Sequence, residues 1–315
     1  MYRLKSSAIS LLLISTSAVL YFYTGFNEHI FRSDNDIANL NIGSNTLVIP
    51  NTIFVDSSAN GASDGSSWTD AYNDLQIALA SALPCDTILV AKGTYFPSAG
   101  IRGVSFNFPD STVIMGGFPS GGSGSRDPEC NKTILSGEIQ QDNDSTNNAY
   151  HVVTTYSTTS LIVDGFCITD GFASSPPNGD NRYGGGWFNR GLNGDSSEPV
   201  IINCIITGNR AIRGGGMANY GDLGATNPTL INCILSGNIA STSGGAMFNY
   251  GFGFGSSPTL INCIVSGNRG EARAGGIYTD ADDGGYSSGI FTNCVFNGNS
   301  TGALGGAFFN TGAGG

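Results

Sequence analysis

The run Val200-Ile-Ile-Asn-Cys-Ile-Ile-Thr-Gly-Asn209 returns as Thr229-Leu-Ile-Asn-Cys-Ile-Leu-Ser-Gly-Asn238 and as Thr259-Leu-Ile-Asn-Cys-Ile-Val-Ser-Gly-Asn268. It returns once more as Ile290-Phe-Thr-Asn-Cys-Val-Phe-Asn-Gly-Asn299. A second feature keeps the same beat. Gly-Gly pairs begin at Gly184, Gly214, Gly244, Gly275 and Gly305, at intervals of 30, 30, 31 and 30 residues, and each leads to a polar residue: Asn189, Asn219, Asn249, Asp280 and Asn310. Two columns in step over half the chain mark a repeat array with one supersecondary unit per period. No helical pattern lies inside a period, and about 30 residues suffice for three short strands with turns, one coil of a parallel β-helix. Leucine-rich repeats lack their ladder here, and propeller blades need around 40 residues and antiparallel hairpins. The expected class is all-β, a solenoid.

Each column has a physical role to fill. Asn203, Asn232, Asn262 and Asn293 fall where the chain must bend between strands; Asn tolerates the left-handed backbone region, and stacked Asn side chains hydrogen-bond from coil to coil. The same structural role is assigned to Asn189, its equivalents and Asp280. Cys204, Cys233, Cys263 and Cys294 stack at the strand spacing of about 4.8 Å, a poor match to disulfide geometry, so they read as small buried thiols, with Cys167 extending the column. Neighbours on a strand face opposite ways. Ile206, Leu235, Val265 and Phe296 are therefore assigned to the core, and Ile205, Ile234, Ile264 and Val295 to an outer stripe covered by loops, with a contact surface as the alternative. Cys85 and Cys130 lie outside the array as a candidate disulfide pair.

Upstream, Arg3 and Lys5 precede an apolar stretch from Ala8 to Tyr23, so residues 1–26 read as a signal peptide or N-terminal membrane anchor. Residues 27–50 read as a linker, 51–160 as an N-terminal cap with irregular coils, and 161–315 as regular coils cut short at the C-terminus. Between Asp70 and Leu83, Leu75, Ala78, Leu79 and Ala82 keep helical spacing, with Asp70 or Asn73 as N-cap and Pro84 as stop. One short amphipathic helix there would cover the open end of the array.

Among 315 residues, 47 are Gly and only 12% are charged, while 40% are hydrophobic; this suits short strands joined by tight turns and excludes a disordered chain. The net charge of −11 argues against nucleic acid and anionic lipid as partners, since both select clustered Lys and Arg. Membrane contact is then expected only through the N-terminal segment or a C-terminal anchor missing from the sequence.

The run from Asp86-Thr-Ile-Leu-Val-Ala-Lys-Gly-Thr-Tyr-Phe-Pro97, then Met115-Gly-Gly-Phe118, Arg126-Asp-Pro128 and Thr133-Ile-Leu-Ser-Gly137, resembles the N-terminal part of secreted bacterial right-handed parallel β-helix proteins of the pectin-lyase-like superfamily. Phe296-Asn-Gly-Asn299 with Gly305-Gly-Ala-Phe-Phe-Asn310 resembles the repeat of chlamydial polymorphic outer membrane proteins, which are adhesins. The resemblance spans residues 52 to 315. It implies a right-handed winding and a secreted or cell-surface protein, while activity varies widely across the superfamily.

Hydrolases of this fold pair carboxylates with a nearby His. Here the two histidines are His29, beside the export segment, and His151, in an apolar strand, and the second reads as structural. The lyases hold calcium with aspartates and abstract a proton with Arg or Lys, which makes Asp280, Asp282 and Asp283 the calcium candidates and Arg213 or Arg273 the candidate base. The cysteine column keeps no paired spacing for zinc, and no strand-to-helix phosphate loop is present. Tyr183, Trp187, Phe188, Tyr220, Tyr250 and Phe252, with Phe254 and Tyr286, are read as loop aromatics able to stack on sugar rings. The expected function is a non-enzymatic β-helix scaffold binding glycan or a cell-surface partner; a polysaccharide lyase or glycoside hydrolase is the alternative.

Overall fold

The computed structural model describes residues 49–174, 179–222, 224–282 and 284–312. The export segment, His29 and Asp283 lie outside the described residues. From Pro50 the chain forms one compact unit. Its backbone winds as a parallel β-helix in which every strand pairs with its counterpart one coil away. Sheet 1 has eight parallel strands in chain order, from Thr52–Val55 through Val200–Ile202 and Thr229–Ile231 to Ile290–Thr292. Sheet 2, with seven, contains Ile205–Thr207, Ile234–Ser236, Ile264–Ser266 and Val295–Asn297. Sheet 3 has five short strands, and sheet 4 has seven, among them Trp187–Gly191, Met217–Asp222, Met247–Phe252 and Ile277–Asp282.

The corners follow from backbone chemistry. Asn203, Asn232, Asn262 and Asn293 take φ of 50°, 53°, 54° and 52°, which turns the chain from sheet 1 into sheet 2. Their exposed amides form a ladder: Asn232 Nδ2 donates to Asn203 Oδ1 (3.3 Å), Asn262 to Asn232 (3.2 Å) and Asn293 to Asn262 (2.8 Å). A second ladder is buried. Asn238 Nδ2 donates to Asn268 Oδ1 (3.0 Å) and to Ile206 O (2.9 Å), while its Oδ1 accepts from the backbone N–H and the Nδ2 of Asn209, both at 3.1 Å. This ladder satisfies the backbone groups that the second bend takes out of water.

The interior is one continuous stack. Ile201, Leu230 and Leu260 meet Cys204, Cys233 and Cys263, Ile206, Leu235 and Val265, and Met217, Met247 and Ile277, all buried. The thiols are free and donate weakly to carbonyls of the coils, as Cys233 Sγ does to Ile201 O at 3.4 Å. Three expectations need correction. Cys167 pairs in register with Ile205, so it belongs to the outer stripe, and Phe166 occupies the cysteine position of that coil. Cys85 and Cys130 are exposed free thiols: the first sits in the turn after the helix at φ 76°, and the backbone N–H of the second caps Asp127. The outer stripe is not covered by loops among the described residues, for Ile264 is 40% and Val295 54% exposed.

The helix α1 (Leu75–Ser81) packs Leu75, Ala78 and Leu79 against the first strands and closes that end of the stack. It is shorter than the spacing suggests, and its N-cap is Asp74, which accepts from Gln76 N at 2.8 Å. Asp70 and Asn73 are spent elsewhere. Asp70 accepts from Ala62 N (2.9 Å), and Asn73 Nδ2 donates to Asp56 O (3.1 Å) and Ala59 O (2.9 Å), which ties down the preceding loop.

The fourth Gly-Gly pair is one residue out of step. Ala274, at φ 46°, holds the corner that Gly184, Gly214, Gly244 and Gly305 hold at φ 58° to 70°. Register then pairs Thr279, not Asp280, with Asn249 and Asn310. The inward ladder runs from Asn189 Nδ2 to Asn219 Oδ1 (3.1 Å) and from Asn219 Nδ2 to Asn249 Oδ1 (2.8 Å), then stops. Asn249 Nδ2 and Thr279 Oγ1 are buried with no hydrogen-bond partner among the described residues. Asp280 points outward instead, so its structural assignment to this ladder fails.

Candidate functional site

Among the described residues, sheet 4 is the sheet whose outer face carries aromatic rings in rows. Because residues alternate sides, the positions between the inward Asn residues face out. Nearest the glycine corner, Phe188, Ala218, Phe248, Tyr278 and Phe309 stand in register. One step along, Tyr156, Arg190, Tyr220, Tyr250, Asp280 and Thr311 do the same, and beyond them Asp222, Phe252 and Asp282.

The first row is roofed. Phe188, Phe248 and Tyr278 are buried under a column of side chains from the strand edge before the corner. The Tyr183 ring fills the notch left by Ala218, lying 6.2 Å from Phe188 and 5.7 Å from Phe248 in near-parallel stacks. The Arg213 guanidinium sits 5.5 Å from the Phe248 centroid and that of Arg273 6.0 Å from Tyr278, with Arg273 Nη1 donating to Tyr278 OH at 3.1 Å. These two arginines, the sequence-based candidates for a catalytic base, are thus engaged as cation–π covers.

The second row is open. Tyr220 and Tyr250 are half-buried, with centroids 5.0 Å apart, and Phe252 continues the stack 6.4 Å from Tyr250. Tyr156, Phe254 and Tyr286 stand further out. Burial raises the phenol pKa of both tyrosines, with Tyr183 adding to the rise at Tyr220 and Asp282 at Tyr250, so their hydroxyls remain neutral donors. Arg190 bridges Asp180 and Asp222 (2.8 Å to the latter), and its guanidinium lies 5.6 Å from the Tyr220 ring. Asp280 accepts from Thr311 Oγ1 at 2.8 Å. The face therefore offers ring planes flanked by fixed donors and acceptors.

Several expected site residues are placed differently. Trp187 is wholly buried in the core, its Nε1 donating to Thr155 Oγ1 at 2.9 Å, and Phe188 is equally buried, so neither presents a free ring. Both belong to a strand rather than a loop, as do Tyr220, Tyr250 and Phe252. Asp280 and Asp282 share one strand face two residues apart, and among the described residues no group of three His, Cys, Asp or Glu side chains is placed to hold a metal ion. His151 is buried, its Nδ1 2.9 Å from Gly184 O and its ring stacked on Phe188 at 5.1 Å; burial lowers its pKa. Sequence reasoning missed Tyr156 and Arg190, which alternation from Thr155 and Asn189 would have placed on the outer face.

No family model matches this chain, and no curated protein matches it. Among solved structures, a pectate lyase (Pel9A) is similar over 85% of this chain and 79% of its own, at 11% identity and a TM-score of 0.39. The winding is read from the strand pairings themselves, and this likeness adds nothing to the chemistry of the site.

Proposed function

We propose that the protein is a secreted or cell-surface β-helix scaffold that binds a glycan along the outer face of sheet 4 without cleaving it. The observation that carries this reading is the open pair Tyr220 and Tyr250, stacked in register on a rigid sheet between the Arg190–Asp222 ion pair and Asp280. Aromatic planes take the apolar face of a sugar ring, and the fixed polar groups take its hydroxyls. Binding rather than turnover is supported by the state of the chemical groups. Arg213 and Arg273 are committed to ring faces, and His151 is buried with its ring stacked on Phe188.

A glycan array with the intact chain, beside a Tyr220→Ala/Tyr250→Ala variant, tests the proposal. Binding that falls at least tenfold in the variant supports it. The lyase alternative is tested by incubating the chain with acidic polysaccharides and calcium and following the absorbance of unsaturated products. Activity that disappears with Arg213→Ala or Arg273→Ala would replace the scaffold reading.

A further inference from the structure

Sheet 2 carries a face of different character. Its outward positions form two rows. One is Ile134, Cys167, Ile205, Ile234, Ile264 and Val295, and the other runs Thr207, Ser236, Ser266 and Asn297. Within the second row Ser236 Oγ donates to Thr207 Oγ1 at 3.2 Å. One border is the exposed Asn ladder described above. The other is a row of glycines, Gly208, Gly237, Gly267 and Gly298, at φ 62° to 68°. A Cβ at Gly267 would meet nothing within 4 Å, so this border ends flush with no projecting side chain. Over the four coils from Ile205 to Val295 none of these rows holds a charged residue, in a chain with 24 acidic and 13 basic side chains; the charge-free strip ends at the Cys167 coil, where Asp170 takes the glycine position at φ 64° and Lys132 lies near the thiol.

We infer that this strip is a docking surface for an ordered, uncharged polysaccharide, such as the face of a cellulose or chitin crystallite, with its chains lying along the helix axis. Such a polymer presents apolar C–H faces beside lines of hydroxyls, and the strip presents an apolar row beside a row of hydroxyls and amides. The absence of charge disfavours ionic polymers and charged protein surfaces, whose recognition depends on complementary potential. A second copy of this chain is a poor occupant. Four strands at about 4.8 Å and three residues at about 3.3 Å give roughly 190 Å², far below the roughly 800 Å² per partner of a stable complex. No aromatic ring grips a single sugar here, so affinity must come from many weak contacts repeated in register, which a solid polymer supplies and a short soluble one does not.

The test is sedimentation of the intact chain with microcrystalline cellulose and with chitin powder, in high salt. Retention on at least one solid is expected, undiminished by millimolar soluble oligosaccharide. Ile234→Lys/Ile264→Lys, and separately Ser236→Lys, should each lower the bound fraction at least tenfold while circular dichroism stays unchanged, because all three side chains point outward. Tyr220→Ala/Tyr250→Ala should leave retention intact, which separates this strip from the sheet 4 face. Failure to bind either solid, release by salt, indifference to the lysine variants, or loss in the tyrosine variant would each overturn the inference.

Discussion

The two asparagine ladders share a residue type but not an environment, and substitution of Asn238 and Asn232 tells them apart. Asn238→Ala removes four hydrogen bonds, two given and two accepted, all inside the molecule. At about 1 kcal/mol net each, with a further 1–3 kcal/mol for leaving the Asn209 N–H buried and unpaired, the loss is about 5–7 kcal/mol. Asn232→Ala removes two bonds that face water and leaves at φ 53° a residue without the short polar side chain that makes this region tolerable for Asn. The backbone term is about 1 kcal/mol and the exposed bonds add a few tenths. Asn232→Gly should be nearly neutral. Urea unfolding followed by far-UV circular dichroism, with hydrogen exchange to detect opening of single coils, reads the difference. If Asn238→Ala costs less than Asn232→Ala, the buried ladder does not hold the coils together and the energetic account fails.

Four further outcomes are expected. Ala274→Gly relieves the one corner of its column where a Cβ sits in the left-handed region, and should raise stability by about 0.5–1 kcal/mol in the same denaturation assay. Thr279→Asn gives Asn249 Nδ2 its missing acceptor and should stabilise by about 1 kcal/mol, whereas Thr279→Val should be close to neutral; a destabilised Asn variant would refute the register assigned to that coil. His151 is held below its ordinary pKa by burial, so the unfolded chain binds the proton more readily. Stability should therefore fall as pH drops below about 6.5, with a slope of at most about 1.4 kcal/mol per pH unit, and His151→Gln should flatten that part of the melting-temperature profile. Cys85 should react at once with an aromatic disulfide reagent and Cys130 more slowly, because the Asp127 carboxylate raises its thiol pKa, while Cys204, whose thiol pKa burial pushes up to about 12, and Cys233 and Cys263, closed off by their burial in the core, should react only on unfolding.

The winding was legible because two columns recur at one period, and the Asn-Cys corner was legible because few residues accept positive φ. What sequence reading missed lies where a column is filled by a residue that carries no signal. Ala274 adopts the corner without any signal in the sequence, so spacing assigns the corner to the glycine pair after it and turns Asp280 inward in place of Thr279. Phe166 stands where the regular coils have cysteine, and residue identity alone draws Cys167 into the wrong column. Ring chemistry alone points to loop recognition residues, whereas Trp187, Phe188, Tyr220, Tyr250 and Phe252 lie on strands. Their spacing held the better clue: Trp187 and Asn189 must share a face, and Phe188 must oppose them. The roof over the first aromatic row was not legible at all, since Tyr183 meets Phe248 only after two windings bring them together.

A molecule built of in-register coils is also a ruler. Removing the segment between equivalent corners, from Gly214 to Ser243, deletes one graduation from every row at once and leaves each remaining junction between like neighbours. Length on any face is thereby uncoupled from the composition of that face, so selection or engineering can tune how much surface is presented by copying whole windings, with no interior needing to be redesigned.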